Sequence, residues 1–169
     1  MQLVDSTLRE GEQTPHVCFS IQEKVRIARM LDKIGIEMIE AGDPSVSLDL
    51  FEAVKKIASL GLRAEVQAHS LATKECIDRV KKTGAARVIV LYPTSKIHLD
   101  SKVQKTQGEA LKIISENIIY ARSLGLKVRY TPEDATRTDF KFLVKACNTA
   151  IAAGADRINI ADTLGIMQP

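Results

Sequence analysis

The sequence predicts an α/β chain of parallel strands, covering about the first six strands of a (β/α)8 TIM barrel as one domain over residues 1–169. Three observations point there. One unit recurs along the chain, an amphipathic helix closed by a glycine and followed at once by a β-rich run. The β-runs are short and apolar on both faces, as in "RVIVLY" and "RINIA", the pattern of parallel strands covered by helices. Polar or ionisable residues stand where nearly every run ends: Asp5, Glu40, His69, Glu133 with Asp134, and Asp162 with Thr163.

Taken in order, "QLVD" is the opening strand, and the charged stretch "VDSTLREGEQTPH" follows it. The first helix places Val25, Ala28, Leu31 and Ile34 at a three-residue spacing and ends at Gly35, before the strand in "IEMIEAG". The units "KKIASLGLRAEVQAH" and "VKKTGAARVIVLY" turn at Gly61 and Gly84. The stretch "PTSKIHLDSKVQKTQ" reads as the one long loop. Beyond it, Leu111, Ile114, Ile118 and Ala121 line a long helix ending at Gly125, and "LKVRYTPED" is the next strand. The last helix shows Phe140, Leu143, Val144, Cys147 and Ile151 at helical spacing before Gly154 and "RINIADT". Each of these glycines stands where a left-handed residue closes a helix.

Two parallel architectures compete for this pattern. An open doubly wound sheet concentrates its site at one switch point, usually with a Gly-rich phosphate loop, and neither GxGxxG nor GxxxxGK[ST] occurs here. A closed barrel brings every strand's C-terminal end to one mouth, which suits a polar residue at each of them. Eight units need roughly 250 residues. The expectation is therefore the N-terminal portion of one catalytic barrel, or a chain that pairs with a second copy to cover its edges.

Bulk properties exclude several classes. A 45% hydrophobic, 27% charged chain is an ordinary globular one, and its net charge of +3 with 4% aromatics offers neither a basic footprint nor stacking platforms for nucleic acid. The apolar runs are strand-sized, so no membrane association is expected. Cys18, Cys76 and Cys147 lie far apart with no CxxC, which reads as reduced core thiols in a cytoplasmic protein.

The charged stretch after the first strand remains. Ordinary turns use Gly, Pro, Asn and Ser, so turn chemistry does not explain Asp5, Arg9, Glu10 and Glu12 together. A hard divalent cation takes carboxylate oxygens and an anionic substrate takes a planar guanidinium; adjacent Arg9 and Glu10 at a barrel mouth offer both. A solvated loop with an internal Arg–Glu pair is the plainer alternative.

"DSTLREGEQTP" closely resembles the signature of the acyl-CoA-dependent Claisen-condensing synthases, which include homocitrate, 2-isopropylmalate and citramalate synthases. "IEAGDPSVS", "QAHS", "TSKIH", "VRYTPEDATRTD" and "INIADTLG" follow in that family's order and spacing, so the resemblance spans the whole chain. It implies condensation of acetyl-CoA, as co-substrate, with a 2-keto acid in lysine or leucine biosynthesis, on a divalent metal ion (Mg, Mn or Zn), in a cytoplasmic homodimer. By the same resemblance Glu10 matches the metal-binding acid, and Arg9 the arginine that stabilises the transition state at the keto group. Gln13 and His69 match pocket residues, His69 counted here with the catalytic ones. Arg129, Thr131 and Glu133 match a row that binds the keto acid's carboxylate and assists proton transfer, and Thr163 a threonine on the substrate carboxylate. The alternatives are a citramalate synthase, a lyase of the same superfamily, or a non-catalytic barrel fragment that serves as a binding or assembly module.

The chain also departs from that pattern. Two further metal ligands of the family form a His-x-His pair, which His16, His69 and His98 do not supply, so the chain by itself is expected to bind metal weakly and to lack activity. Ile89 stands where many homocitrate synthases have an acid, and His98 and Leu99 where they have an arginine for the distal carboxylate. Those positions leave the identity of the keto acid open.

Overall fold

The computed structural model describes residues 2–168. The chain divides into two compact units, Met1–Ser70 with Glu75–Val88, and Leu71–Lys74 with Ile89–Pro169. The first holds β1 (Val4–Asp5), α1 (Ile21–Lys33), β2 (Met38–Glu40), α2 (Leu48–Ala58), most of β3 (Glu65–Leu71) and α3 (Lys74–Thr83), and the first two residues of β4 (Arg87–Pro93). β1 and β2 pair in parallel, Val4 with Met38, and β2 pairs with β3, Glu40 with Gln67. The Ala86 amide, just ahead of β4, donates to the Val66 carbonyl of β3 at 3.1 Å.

The second unit holds the rest of β4, a helical turn α4 (Lys96–His98), α5 (Gln107–Ser123), β5 (Lys127–Glu133), α6 (Phe140–Ala152) and β6 (Arg157–Ile158). β5 and β6 are parallel, Arg129 opposite Arg157, and the Thr94 amide donates to the Glu133 carbonyl at 3.2 Å. Strand order follows chain order from β1 to β6. A doubly wound sheet reverses its order at a switch point; a sequential order with a helix after each strand is barrel topology.

Local chemistry explains where the helices begin. Ser20 and Thr106 each accept a backbone N–H from the residue three positions on, Glu23 and Glu109, whose carboxylates bond back to the cap. These reciprocal capping boxes satisfy donors that a helix start leaves orphaned. Ser47 and Asp139 cap α2 and α6. The five expected closing glycines all have positive φ. Gly154 is the most constrained of them: at φ +106° a Cβ there would lie 3.1 Å from Cγ of Arg122.

α5 buries Ala110, Ile114, Ile118 and Ala121, close to the expected face, while Leu111 is half-buried. Val88, Ile89 and Val90 of β4 are fully buried, at about 1.5–3 kcal/mol per side chain removed from water.

Four expectations fail. The buried stripe of α6 is Phe142, Ala146 and Ala150, whereas Phe140 is 75% exposed and Val144 and Ile151 also face solvent. The helix carries two apolar stripes, and the one with alanines faces inward because small side chains allow close approach. Of the α1 stripe Ala28 is buried as expected, but Val25 and Leu31 are only half-buried and Ile34 is exposed at the helix end, while Lys24 is buried. The long loop is α4 followed without a break by a π-helical turn, Leu99–Val103. Cys18 is exposed and Cys76 and Cys147 are partly exposed, so none is a core thiol, although all three are free as expected. Among the described residues, no helix is long and apolar enough to cross a membrane.

Candidate functional site

In the first unit the crowded loop resolves into separate jobs. Asp5 ends β1 and accepts the Thr7 amide at 2.9 Å, and the Ser6 carbonyl accepts the amides of Arg9 and Glu10. These bonds turn the chain back on itself, and Leu8, fully buried, pins it. A 3-10 turn, Gly11–Gln13, follows. One Glu12 oxygen accepts the Phe19 amide at 3.0 Å; the other pairs with the ammonium of Lys24, which is buried on α1. Glu12 is thus a strut, and Asp5 a turn-former.

Arg9 and Glu10 have a different arrangement. Arg9 is largely covered and ion-pairs with Glu10, whose carboxylate is more than half exposed. Arg9 and Gln13 line a cavity of about 900 Å³ together with Leu8, Phe19, Asp43 and Ser47. At the ends of β2 and β3, Glu40 and His69 form a buried pair, Nε2 to Oε2, at 3.0 Å. Since Glu40 is opposite Gln67, His69 lies two residues further along the same face, so its ring reaches back diagonally.

In the second unit, period-two alternation puts Arg129, Thr131 and Glu133 on one face of β5. Tyr130, on the other face, is fully buried near Cys147 and Tyr92, and burial drives its phenol far above the usual tyrosine range. Thr131 is 4% exposed, and its hydroxyl has no hydrogen-bond partner among the described residues. Glu133 holds Lys102 Nζ at 2.7 and 2.8 Å through its two oxygens, with His98 Nδ1 at 3.9 Å.

Asp134 takes a left-handed conformation (φ +60°) directly after β5, and its side chain is fully buried. Hydrogen bonds from Arg137, at 2.7 and 2.8 Å, hold its carboxyl below the usual aspartate range, with help from Ser95. The Asp134 amide donates to Oγ1 of Thr163 at 2.9 Å. Thr163 is therefore fixed beside the end of β5 with its own O–H proton uncommitted to that bond. Asp162 accepts the amides of Ile166 and Met167, which lower its carboxyl's pKa and shape the loop after β6.

The structure thus joins Arg9 with Glu10 and sets Gln13 beside Arg9's cavity, pairs His69 with Glu40, aligns Arg129, Thr131 and Glu133, and ties Thr163 to Asp134. Sequence reasoning noted Glu40 only as a strand-end acid and missed Lys102 and the anchoring role of Asp134. Lys102 carries no readable signal, because a π-helical turn breaks the 3.6-residue period. For a metal, Glu10 offers one carboxylate; among the described residues no group of three or more His, Cys, Asp and Glu side chains converges. These residues do not make up the three-ligand set such a site needs.

The family model described as HMGL-like matches residues 1–169. The chain is 48% identical over 171 residues to a homocitrate synthase of Sulfurisphaera tokodaii and to one of Saccharolobus solfataricus, covering 99% of this chain and 37% of each relative. It spans just over a third of the length of these relatives. Among solved structures, an HMG-CoA lyase of Bacillus subtilis matches with a TM-score of 0.80 at 18% identity, over 99% of this chain and 59% of that one. An HMG-CoA lyase of Acinetobacter baumannii, in complex with coenzyme A and 3-methylmalate, matches with a TM-score of 0.78 at 16% identity, over 99% and 57%. At these identities the likeness establishes the shared barrel fold. With its whole length matched by the family model, the chain belongs to the HMGL-like family.

Proposed function

We propose that the chain is the N-terminal part of an acyl-CoA-dependent synthase of the homocitrate synthase type, one that condenses acetyl-CoA with a 2-keto acid and releases coenzyme A. The observation that carries the reading is the β5 row, in which a buried, unpartnered Thr131 hydroxyl lies between a buried arginine and a carboxylate on one strand face. An orphaned buried hydroxyl costs stability, and a ligand that accepts its hydrogen bond accounts for it. Identity of 48% to homocitrate synthases supports the same assignment.

In this reading Arg129 and Thr131 hold the keto acid's carboxylate, and Thr163 donates its hydroxyl proton to it. Arg9 is a permanent cation for the oxygen that gains charge as the new bond forms. The cavity beside Arg9 and Gln13, about 900 Å³, takes the thioester arm. Glu133 and His69 move protons: the acetyl methyl group is a weak acid that needs a positioned base, and Glu40 orients the imidazole. A divalent ion (magnesium, manganese or zinc) would take Glu10 as one ligand and would supply carbonyl polarisation, but the described residues do not complete its site. A cytoplasmic homodimer is the proposed assembly.

A lyase of the same superfamily runs the chemistry toward cleavage, and the lyase folds above support it only as a fold. Coenzyme A release from acetyl-CoA, followed with a thiol reagent across a panel of 2-keto acids in the complete enzyme, tests the synthase reading. Release stimulated by a keto acid is the expected result; no stimulation with magnesium, manganese or zinc present refutes it.

A further inference from the structure

The helical wall of the first unit carries a groove that the strand-end residues do not line. α1 packs against α2, and beside their contact lies a cavity of about 410 Å³. Val25, half-buried, and Met30, 56% exposed, give it an apolar lining. Arg26, Arg29 and Lys33 of α1 and Lys56 of α2 give it four exposed cations, and no acid among the described residues lines it. None of the four has an ion-pair partner among the described residues, whereas Lys24 on the same helix is paired with Glu12. Four cations exceed the chain's whole net charge of +3, so the positive surplus collects in this groove and the remaining charge is close to balanced.

Spacing says which anion fits. Arg26, Arg29 and Lys33 stand at i, i+3 and i+7, one per turn along one face of α1, and neighbours on such a row lie about 5–6 Å apart. The lining runs from Gln22 to Lys33, about 16 Å of helix axis. A single phosphate group is too compact to meet the whole row, and a nucleotide base finds no aromatic side chain in the lining to stack on. An acidic amphipathic helix repeats its carboxylates at the same interval as the cations, and its apolar stripe meets Val25 and Met30. The two guanidiniums take carboxylates through paired hydrogen bonds. Cations unpaired in the free chain lose no internal partner when a ligand arrives, so each new pair is a gain, though one that salt screens.

We infer that the α1–α2 groove is a docking site for an acidic amphipathic helix of a partner protein. None of the residues given a catalytic or substrate-binding role lines the groove, and the inference does not depend on the synthase reading.

The test uses the complete enzyme and a fluorescent probe peptide, a helix of about four turns with Glu at i, i+3 and i+7 and Leu on the adjoining stripe, followed by fluorescence anisotropy. The expected Kd is about 10–100 µM at low salt. Arg26→Glu combined with Arg29→Glu weakens binding by about 10-fold or more, and Met30→Ser by about threefold or more. These side chains are exposed, so urea unfolding midpoints stay at the wild-type value and show that the variants fold. Tight binding of a scrambled peptide of the same composition, displacement of the probe by an equimolar concentration of tripolyphosphate, charge-reversed variants that bind within about twofold of wild type, or no binding at all overturns the inference.

Discussion

Glu12→Gln is the sharpest probe of the loop after β1. The substitution keeps the shape and a carbonyl oxygen for the Phe19 amide, and removes only the charge facing Lys24. That lysine is 3% exposed, so its ammonium cannot simply hydrate where it stands. Breaking a buried pair from one side costs about 3–5 kcal/mol, because the surviving charge is stranded. Partial relaxation of the lysine stem toward solvent brings the expected loss to about 3 kcal/mol. With a urea m-value of about 2 kcal/mol/M, the unfolding midpoint falls by about 1.5 M. Lys24→Met strands Glu12 and costs a similar amount, yet the double variant, with no charge left, loses far less than the sum. The cycle should return a coupling of about 2–3 kcal/mol. Urea unfolding followed by far-UV circular dichroism measures all four proteins. A Glu12→Gln midpoint within about 0.3 M of wild type, or strict additivity, would refute the strut and return Glu12 to the solvated loop.

Three shorter predictions follow from local geometry. Gly154→Ala loses more stability than Gly125→Ala: both positions carry positive φ, at about 1–2 kcal/mol for a Cβ, but only at Gly154 does the Cβ also crowd Arg122 at 3.1 Å, with nothing within 4 Å of it at Gly125; equal midpoints would count against it. The Asp134 carboxyl sits below its ordinary range in the fold, so the stability it lends is complete above about pH 4 and drains away as pH falls through the folded value; Asp134→Asn should flatten the acid limb of a stability-against-pH curve, and an unchanged limb speaks against the Arg137 clamp. Iodoacetamide should label exposed Cys18 well before Cys147, whose thiol burial pushes up, and mass mapping of the first adduct decides it.

The sequence shows the fold more readily than the site, for a physical reason. Hydrophobic periodicity and closing glycines are local, so Gly35, Gly61, Gly84, Gly125 and Gly154 mark the helix ends and the strands follow from them. α6 marks the limit of periodicity: when two stripes are apolar, only the partner surface decides between Phe140 with Val144 and Phe142 with Ala146. Polar strand-end residues such as His69, Thr131 and Glu133 are legible as such because alternation fixes their face. Pairings across chain distance are not. Nothing in the spacing of Glu12 and Lys24, Lys102 and Glu133, or Thr163 and Asp134 announces that they touch, since each contact depends on how loops fold back.

Polar residues on the buried faces of β3 and β5 show how stability and function are apportioned along a strand. Near its start, Glu65 is satisfied by Nε of Arg87 at 2.7 Å and by Gln67 at 3.3 Å. Toward the end of β5 the Thr131 hydroxyl has no partner among the described residues, and Glu133 leans on a half-exposed lysine. Paired groups are the expensive ones to break, while an orphan is already paying its desolvation penalty. Arg87→Met should therefore cost about 1–3 kcal/mol, because it removes the charged partner of Glu65 and leaves its carboxylate the weaker bond from Gln67. Thr131→Val, which removes an unpaired hydroxyl at constant shape, should change stability by less than about 0.5 kcal/mol or raise it. On the proposed function, the same Thr131→Val change should depress kcat/KM for the keto acid by about 10-fold or more. A structural hydroxyl behaves in the opposite way, losing stability and keeping activity, and that pattern would remove Thr131 from the site.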